Sequence, residues 1–128
     1  EQMVGIVIVS HSKNLEDSVV EFTGLMAPDA KIAAAGGMED GGFGTSFEKI
    51  QKAIESVYSE EGVIVLMDMG SAVMTTEMVL DMFEPDTVKM ADCPLVEGAV
   101  VATINAVSGM KKDEILAALS QVAGTPKF

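Results

Sequence analysis

The chain has 128 residues, of which 48% are hydrophobic, so it is long enough for one packed domain and too short for two of ordinary size. Eight lysines, no arginine and twenty acidic residues give a net charge of −12, which disfavours nucleic acid as a partner because binding to a phosphate backbone needs clustered cations. No apolar run reaches the roughly 18 residues of a membrane-spanning helix, so we expect no membrane insertion and a cytoplasmic location.

Four segments have the composition of β-strands. Three of them are continuous runs of β-branched or apolar residues, which is typical of strands buried on both faces of a sheet. They are Met3–Ser10, Lys31–Ala35 and Gly62–Met67, with Thr87–Met90 as a shorter candidate. Glu1 and Gln2 precede the first strand and resemble an expression remnant.

Helical signals lie between and after these strands. The predicted helices are Leu15–Met26, Ser46–Tyr58, Ser71–Met82, Leu95–Ser108 and Asp113–Ala123. Asn14 is the candidate cap of the first helix, and Thr45 with Glu48 predicts a capping box for the second. Strands that alternate with helices require right-handed crossovers. The expected fold class is therefore a three-layer α/β domain, with helices on both faces of a mostly parallel four-stranded sheet in the order 2-1-3-4.

Glycines are concentrated directly after the second predicted strand. They are Gly36, Gly37, Gly41, Gly42 and Gly44. A loop of this composition can bring backbone N–H groups close to an anion, but it can equally be a flexible surface turn. The glycines alone therefore do not decide between the two interpretations.

Methionines recur every four residues in the third predicted helix, at Met74, Met78 and Met82. Residues with this spacing share one face of a helix. We expect the face to pack in the core or against another subunit, because thioether side chains fill irregular apolar contacts.

Candidate reactive residues follow the first and third predicted strands. In an open parallel sheet, ligands gather beyond the carboxyl ends of the strands, and neighbouring strands lie roughly 5 Å apart. His11, the only histidine, could therefore touch Asp68. A carboxylate that accepts the Nδ1 proton leaves Nε2 as an outward nucleophile. The alternatives are a structural histidine at a strand end and a turn carboxylate at Asp68.

Ser71 stands where the third predicted helix begins, and helix-start N–H groups favour phosphate. It could cap the helix, hold a phosphoryl oxygen, or do both. The single histidine and the single cysteine, Cys93, give no sign of a catalytic metal. A hydrolase using Ser10 or Ser12 with His11 is a weaker alternative, because no G-x-S-x-G elbow occurs. The remaining chemistry is a histidine that carries a phosphoryl group.

Three motifs resemble those of one known family. They are GIVIVSHS at 5–12, DMGSA at 68–72 and PLVEGA at 94–99. Together they resemble the mannose-type enzyme IIA domains of the bacterial phosphoenolpyruvate-dependent phosphotransferase system, over one domain spanning 3–124. Sugar-transporting relatives typically have Thr-His-Gly and Gly-Gly-Ser-Pro at the first two sites. Ser-His-Ser and Gly-Ser-Ala favour the branch of phosphotransferase subunits of dihydroxyacetone kinase.

This resemblance implies that His11 accepts a phosphoryl group from the carrier protein HPr. The group would then pass to ADP on the nucleotide-binding subunit of dihydroxyacetone kinase, with no cofactor of its own. Asp68 matches the aspartate that hydrogen-bonds the active histidine, and Gly70 with Ser71 matches the segment beside the phosphoryl group. Further candidates for contact with that group are Ser12, Gly44 and Thr45.

The resemblance also implies a homodimer, to which the methionine face or the later helices could contribute apolar contacts. Only 125–128 follow the last predicted segments, so dimerisation by exchange of an extra strand is not expected. Fused HPr-like or enzyme I-like domains would each need a histidine, which favours a stand-alone form. Two other functions stay open, a sugar-specific enzyme IIA component that feeds a membrane permease and a regulatory module that senses phosphorylation.

Overall fold

Four parallel strands form the centre of the protein, in a computed structural model that describes residues 2–128. The strands are β1 (Gly5–Ser10), β2 (Ile32–Gly36), β3 (Val63–Met67) and β4 (Val88–Met90). The helices are α1 (Lys13–Met26), α2 (Phe47–Val57), α3 (Val73–Leu80), α4 (Leu95–Val107) and α5 (Lys112–Leu119), and a 3₁₀ turn at Gly70–Ala72 precedes α3. The expectation for Glu1 lies outside the described residues. No helix in the described range is both long and apolar enough to cross a bilayer.

The sheet has the order β2-β1-β3-β4, and every neighbouring pair is parallel. The predicted topology is therefore confirmed. In the register of the central strands, Val9 of β1 lies between Ala35 of β2 and Met67 of β3. The chain thus leaves β1 and β3 at the same edge of the sheet, side by side.

The core consists of two apolar layers, one on each face of the sheet. Alternate residues of a strand point to opposite faces. Ile6 and Ile8 pack with α1, α4 and α5, whereas Val7 and Val9 pack with α2 and α3. All four side chains are fully buried. The uninterrupted apolar runs in the sequence therefore correspond to strands covered on both sides, as predicted.

Two helix caps differ from the predicted ones. Ser12, not Asn14, caps α1, because its hydroxyl accepts a hydrogen bond from the Leu15 amide at 3.3 Å. Ser46, not Thr45, caps α2 in the same manner. Ser12 and Ser46 have extended backbones, the conformation in which a side-chain oxygen reaches the amide three residues later.

The methionine face of the third helix does not pack in the core. Met74, Met78 and Met82 are 73%, 54% and 60% exposed, so of the two predicted alternatives packing in the core is wrong, and packing against another subunit stays a prediction. The opposite face is buried, through Thr76 and Val79. The helix is also shorter than predicted, since it starts as the 3₁₀ turn and its α-helical part ends at Leu80.

Candidate functional site

His11 and Asp68 meet at the edge where β1 and β3 end. The Asp68 amide donates to the Val9 carbonyl at 3.1 Å, which extends the pairing of the two strands by one bond. The Nδ1 atom of His11 lies 2.9 Å from Oδ1 of Asp68. The predicted contact between the two side chains is thus confirmed, and it results directly from the order of the strands.

The Asp68 carboxylate accepts three hydrogen bonds. Besides the His11 ring, its Oδ2 accepts from the His11 amide and from the Ser10 hydroxyl, each at 3.0 Å. Burial alone would raise the pKa of Asp68, but these hydrogen bonds outweigh it and hold the pKa below its usual value. The carboxylate is therefore ionised at neutral pH, and Nδ1 must be the donor of the pair.

The other ring nitrogen of His11 points toward solvent and Ser71. Its Nε2 atom lies 2.8 Å from Oγ of Ser71, and the His11 side chain is 21% exposed. In the neutral imidazole, whose single ring proton Nδ1 holds, Nε2 has a free lone pair that accepts from the Ser71 hydroxyl. The site is thus a line of three groups, from the Asp68 carboxylate through the imidazole to a hydroxyl.

Ser10 is a site residue that the sequence analysis did not assign to phosphoryl chemistry. It is fully buried, donates to Asp68 and accepts from the Ser12 amide at 3.0 Å. It therefore links the end of β1, the carboxylate and the start of α1. The sequence signal that could have identified Ser10 is a hydroxyl residue at the last position of an otherwise apolar strand.

Gly70 and Ser71 begin the turn whose serine hydroxyl contacts the imidazole. They are the first two residues of the 3₁₀ turn, and the first amides of such a turn have no hydrogen-bond acceptor within the turn itself. The first hydrogen bond of the turn is donated by Ala72 to the Met69 carbonyl. Within residues 2–128, the amides of Gly70 and Ser71 have no backbone acceptor outside the turn, and the Ser71 hydroxyl of the same turn contacts Nε2.

The other predicted phosphoryl contacts are differently placed. The Ser12 amide donates to Ser10, and the Ser12 hydroxyl caps α1. The Gly44 amide donates to the His11 carbonyl at 2.9 Å, so a contact to a phosphoryl group would require that bond to open. Thr45 follows in the loop and is half-buried.

The glycine-rich loop is attached to the site at both ends. Gly37 has a φ of 72°, a backbone region in which glycine is unstrained, and its amide donates to the Ser10 carbonyl. Gly44 bonds to the His11 carbonyl at the far end. The Lys49 ammonium donates to the Gly36 carbonyl at 3.0 Å, which ties α2 to the start of the loop. The loop therefore positions the backbone of His11.

A cavity of about 460 Å³ lies beside Asp68, between the ends of β3 and β4. Its lining includes Asp92 and Cys93. Burial, and then the charge of Asp92, raises the pKa of the Cys93 thiol to about 11, so this thiol is uncharged at neutral pH. Among residues 2–128, no three histidine, cysteine or acidic side chains are grouped as metal ligands.

Sequence comparisons identify relatives along nearly the whole chain. The profile of the EIIA-man family, described as the PTS system fructose IIA component, matches residues 5–118. Over 121 residues the chain is 41% identical to the phosphoryl donor subunit DhaM of a PEP-dependent dihydroxyacetone kinase from Escherichia coli, covering 89% of this chain and 26% of that protein. The chain is thus similar to about a quarter of the E. coli protein.

A second relative has nearly the same length as the chain. It is the phosphoryl donor subunit DhaM of PEP-dependent dihydroxyacetone kinase 1 from Listeria innocua, 40% identical over 114 residues, which cover 89% of this chain and 90% of that protein. A crystal structure of a protein of unknown function has a TM-score of 0.83 and 32% identity over the full length of both chains. An EIIA component from Streptococcus agalactiae, at 17% identity, a TM-score of 0.73 and 98% coverage of both chains, shares the fold.

Proposed function

The chain belongs to the family of the PTS system fructose IIA component, and on this premise we propose that it is a phosphoryl carrier with His11 as the covalent acceptor. The observation that carries the proposal is the orientation of one imidazole. Asp68 holds the proton on Nδ1, and the exposed ring edge presents the Nε2 lone pair to the Ser71 hydroxyl at the start of the 3₁₀ turn. This is the arrangement that a nitrogen nucleophile needs for attack on phosphorus.

In the first step, the Nε2 lone pair of His11 attacks the phosphorus of a phosphohistidine on the donor, which we propose to be HPr. The bond from phosphorus to the donor nitrogen breaks as the bond to Nε2 forms, and the donor imidazole keeps that electron pair. The His11 ring proton stays on Nδ1, where Asp68 balances the positive charge that the ring gains. The protein supplies mainly alignment and electrostatic stabilisation, as expected for phosphoryl transfer.

Ser71 has to change its hydrogen bond for this step. Its hydroxyl donates to Nε2 at rest, on the lone pair that must attack. We propose that the hydroxyl turns to a phosphoryl oxygen as the donor approaches, together with the amides of Gly70 and Ser71. Donors placed at the developing negative charge stabilise the transition state. Ser12, Gly44 and Thr45 would then support the loop and helix around the group.

The phosphoryl group would be weakly held, which suits a carrier. The chain has no arginine, and within residues 2–128 no lysine nitrogen hydrogen-bonds to His11, Asp68 or Ser71. A phosphoryl group on Nε2 would lie across the imidazole ring from the anionic Asp68. Because no lysine contacts these three side chains, the proposal does not include an ion pair that would hold the phosphoryl group in place.

We propose ADP on the nucleotide-binding subunit of dihydroxyacetone kinase as the acceptor. A terminal oxygen of ADP attacks the phosphorus, the P–Nε2 bond breaks, and ATP forms while His11 regains its lone pair. The support is the identity to proteins named as phosphoryl donor subunits of this kinase, one of which the chain matches over 90% of its length. Such partners imply a cytoplasmic location.

We further propose that the protein is a homodimer that associates through α1 and α4. The exposed side chains there include the apolar Phe22, Leu25 and Val96. Glu21 and the ion pair of Glu97 with Lys127 lie among them. A groove on this surface has a volume of about 550 Å³. Two chains with a net charge of −12 each associate more readily through a largely apolar surface than through one with many unpaired acidic residues.

One reconstitution experiment distinguishes this function from its alternatives. The chain is phosphorylated with phosphoenolpyruvate, enzyme I and HPr, isolated, and mixed with the purified kinase subunit loaded with ADP. Formation of ATP at one equivalent per phosphorylated chain is expected. Transfer only to a sugar-permease component would instead indicate the sugar-specific function. A label retained with every acceptor would indicate a regulatory module.

A further inference from the structure

Ser71, His11 and Asp68 have the geometry of a serine nucleophile with its base. The Ser71 hydroxyl lies 2.8 Å from Nε2 of His11, and Nδ1 of the same ring lies 2.9 Å from Oδ1 of Asp68. A hydroxyl within hydrogen-bond reach of a base that a third group orients is activated in this way in enzymes of unrelated folds. The proposed phosphoryl transfer uses Nε2 as the nucleophile and leaves this hydroxyl without a reaction of its own.

The two serines next to His11 in the sequence do not have this geometry. The Ser10 hydroxyl is fully buried and donates to Asp68, and the Ser12 hydroxyl caps α1. Among the hydrogen bonds of residues 2–128, neither hydroxyl bonds to a nitrogen of the His11 ring. The serine that this base can activate is therefore Ser71.

The turn that holds Ser71 also has unused hydrogen-bond donors. Ser71 is exposed, and within residues 2–128 the amides of Gly70 and Ser71 have no hydrogen-bond acceptor. Serine hydrolases stabilise the oxyanion of the tetrahedral intermediate with backbone N–H groups, one of which can be that of the nucleophile itself. The turn thus supplies the nucleophile and two unbonded N–H groups from adjacent residues.

A cavity adjoins this turn. The cavity of about 460 Å³ at the ends of β3 and β4 is lined by Gly70, the residue before Ser71, and by apolar side chains that include Met69 and Val73. An apolar lining favours an acyl chain over water. The carboxylate of Asp92 in the same lining repels an anionic molecule. The chemistry of the cavity therefore favours a neutral ester of a short carboxylic acid.

We propose that the unphosphorylated protein hydrolyses small neutral carboxylic esters, with Ser71 as the nucleophile. The Ser71 oxygen forms a bond to the carbonyl carbon as its proton passes to Nε2 of His11, and Asp68 balances the charge of the imidazolium. The alcohol oxygen leaves with that proton, and the acyl group remains on Ser71. Water then gives a proton to Nε2 and attacks the acyl carbon, the bond to the Ser71 oxygen breaks, and the serine regains a proton from the imidazolium.

Ester hydrolysis and the proposed phosphoryl transfer exclude each other, because both use the Nε2 lone pair of His11. A phosphoryl group on Nε2 removes the base that Ser71 needs. This group does not pass directly to Ser71, since displacement at phosphorus needs the attacking and leaving atoms roughly in line. The Ser71 oxygen instead lies beside Nε2. Ester hydrolysis therefore goes beyond the proposed function, and we expect phosphorylation of His11 to stop it.

The test uses p-nitrophenyl acetate as the ester and a small alkyl fluorophosphonate as a trap for the nucleophile. The trap forms a bond from phosphorus to the Ser71 oxygen with loss of fluoride, and peptide mass spectrometry locates it. The unmodified full chain is expected to carry the trap on Ser71. Ser71→Ala and His11→Ala are each expected to lower the release of p-nitrophenolate by about hundredfold or more. Ser18→Ala, at an exposed position of α1, is the matched control and should keep the rate within about twofold.

The Ser71→Ala variant decides which group attacks, because a free imidazole also reacts with activated esters. If this variant is folded by circular dichroism and keeps the original rate, His11 is the nucleophile and the proposal is wrong. The proposal is also wrong if the trap labels another residue or none, or if the chain phosphorylated on His11 still hydrolyses the ester. Labelling of Ser71 in a chain that HPr does not phosphorylate would contradict the proposed function alone.

Discussion

The Ser71 hydroxyl lies 2.8 Å from Nε2 of His11, on the ring nitrogen opposite the one that faces Asp68. The resting nucleophile is thus hydrogen-bonded on both sides. This arrangement fixes the plane and the tautomer of the ring before a partner arrives. It also means that the hydroxyl must release the lone pair before phosphorus can approach.

Ser71→Ala is expected to slow phosphoryl transfer less than tenfold. The variant loses one donor to the phosphoryl oxygens, but it frees the Nε2 lone pair, and the amides of Gly70 and residue 71 remain. Rapid-quench measurement of a single turnover with phosphorylated HPr checks this. A loss as complete as that of His11→Ala would contradict an auxiliary role for the hydroxyl.

Asp68→Asn is expected to slow transfer by about tenfold to a thousandfold, because the ring loses its anionic partner and its fixed tautomer. The ¹⁵N chemical shifts of His11 should show a change from a single Nδ1–H form to a mixture of tautomers. Asp92→Asn, which alters an acid on the far side of the neighbouring cavity, serves as the control. Unchanged rates in Asp68→Asn would mean that Asp68 has only a structural role.

Ser10→Ala is expected to lower the free energy of unfolding by about 1 to 3 kcal/mol, because it leaves the Ser12 amide without its buried acceptor. It should also raise the pKa of Asp68, which loses one of its three hydrogen bonds. Urea unfolding at neutral pH measures the stability. Ser18→Ala, at an exposed position of α1, is the matched control and should change the free energy by less than about 0.5 kcal/mol.

Glu16 predicts a pH dependence of stability. Burial, and then the hydrogen bond and charge of Asp17, raises the pKa of Glu16 from 4.5 to about 7 in the folded protein. The folded state therefore holds this proton more tightly than the unfolded state. The associated stability is fully present below pH 4.5 and is lost as the pH rises through about 7.

Glu16→Gln removes this titration while it keeps the shape of the side chain. The free energy of unfolding of Glu16→Gln minus that of the unmodified chain should therefore increase between pH 5 and pH 8 in urea titrations. Glu21→Gln, at an exposed position of the same helix, should give a constant difference. A constant difference for Glu16→Gln as well would show that this carboxyl does not titrate in the window.

The strand order and the contact of His11 with Asp68 were predictable from the sequence. Apolar runs such as Gly62–Met67 identify strands without any tertiary information, because both sheet faces are covered. Once strands 1 and 3 are neighbours, residues just beyond their ends must meet. The roles of His11 and Asp68 in phosphoryl chemistry remain predictions.

Details that depend on local backbone geometry were not predictable in the same way. A period of four residues shows that Met74 and Met78 share a face, but not whether this face points to the sheet or to solvent. The contact of Ser71 with Nε2 depends on a 3₁₀ turn rather than the α-helix that was expected. The positioning role of Ser10 was missed because it depends on two hydrogen bonds of the folded chain, one to the distant Asp68 and one from the Ser12 amide.

The most direct test of the account is the location of the phosphoryl group. The unmodified chain and His11→Ala are each incubated with ³²P-labelled phosphoenolpyruvate, enzyme I and HPr, and the labelled residue is identified by mass spectrometry under conditions that preserve phosphohistidine. The account predicts one acid-labile phosphoryl group on His11 in the unmodified chain and none in a folded His11→Ala variant. Label that persists in His11→Ala, or that is found on another residue of the unmodified chain, would contradict it.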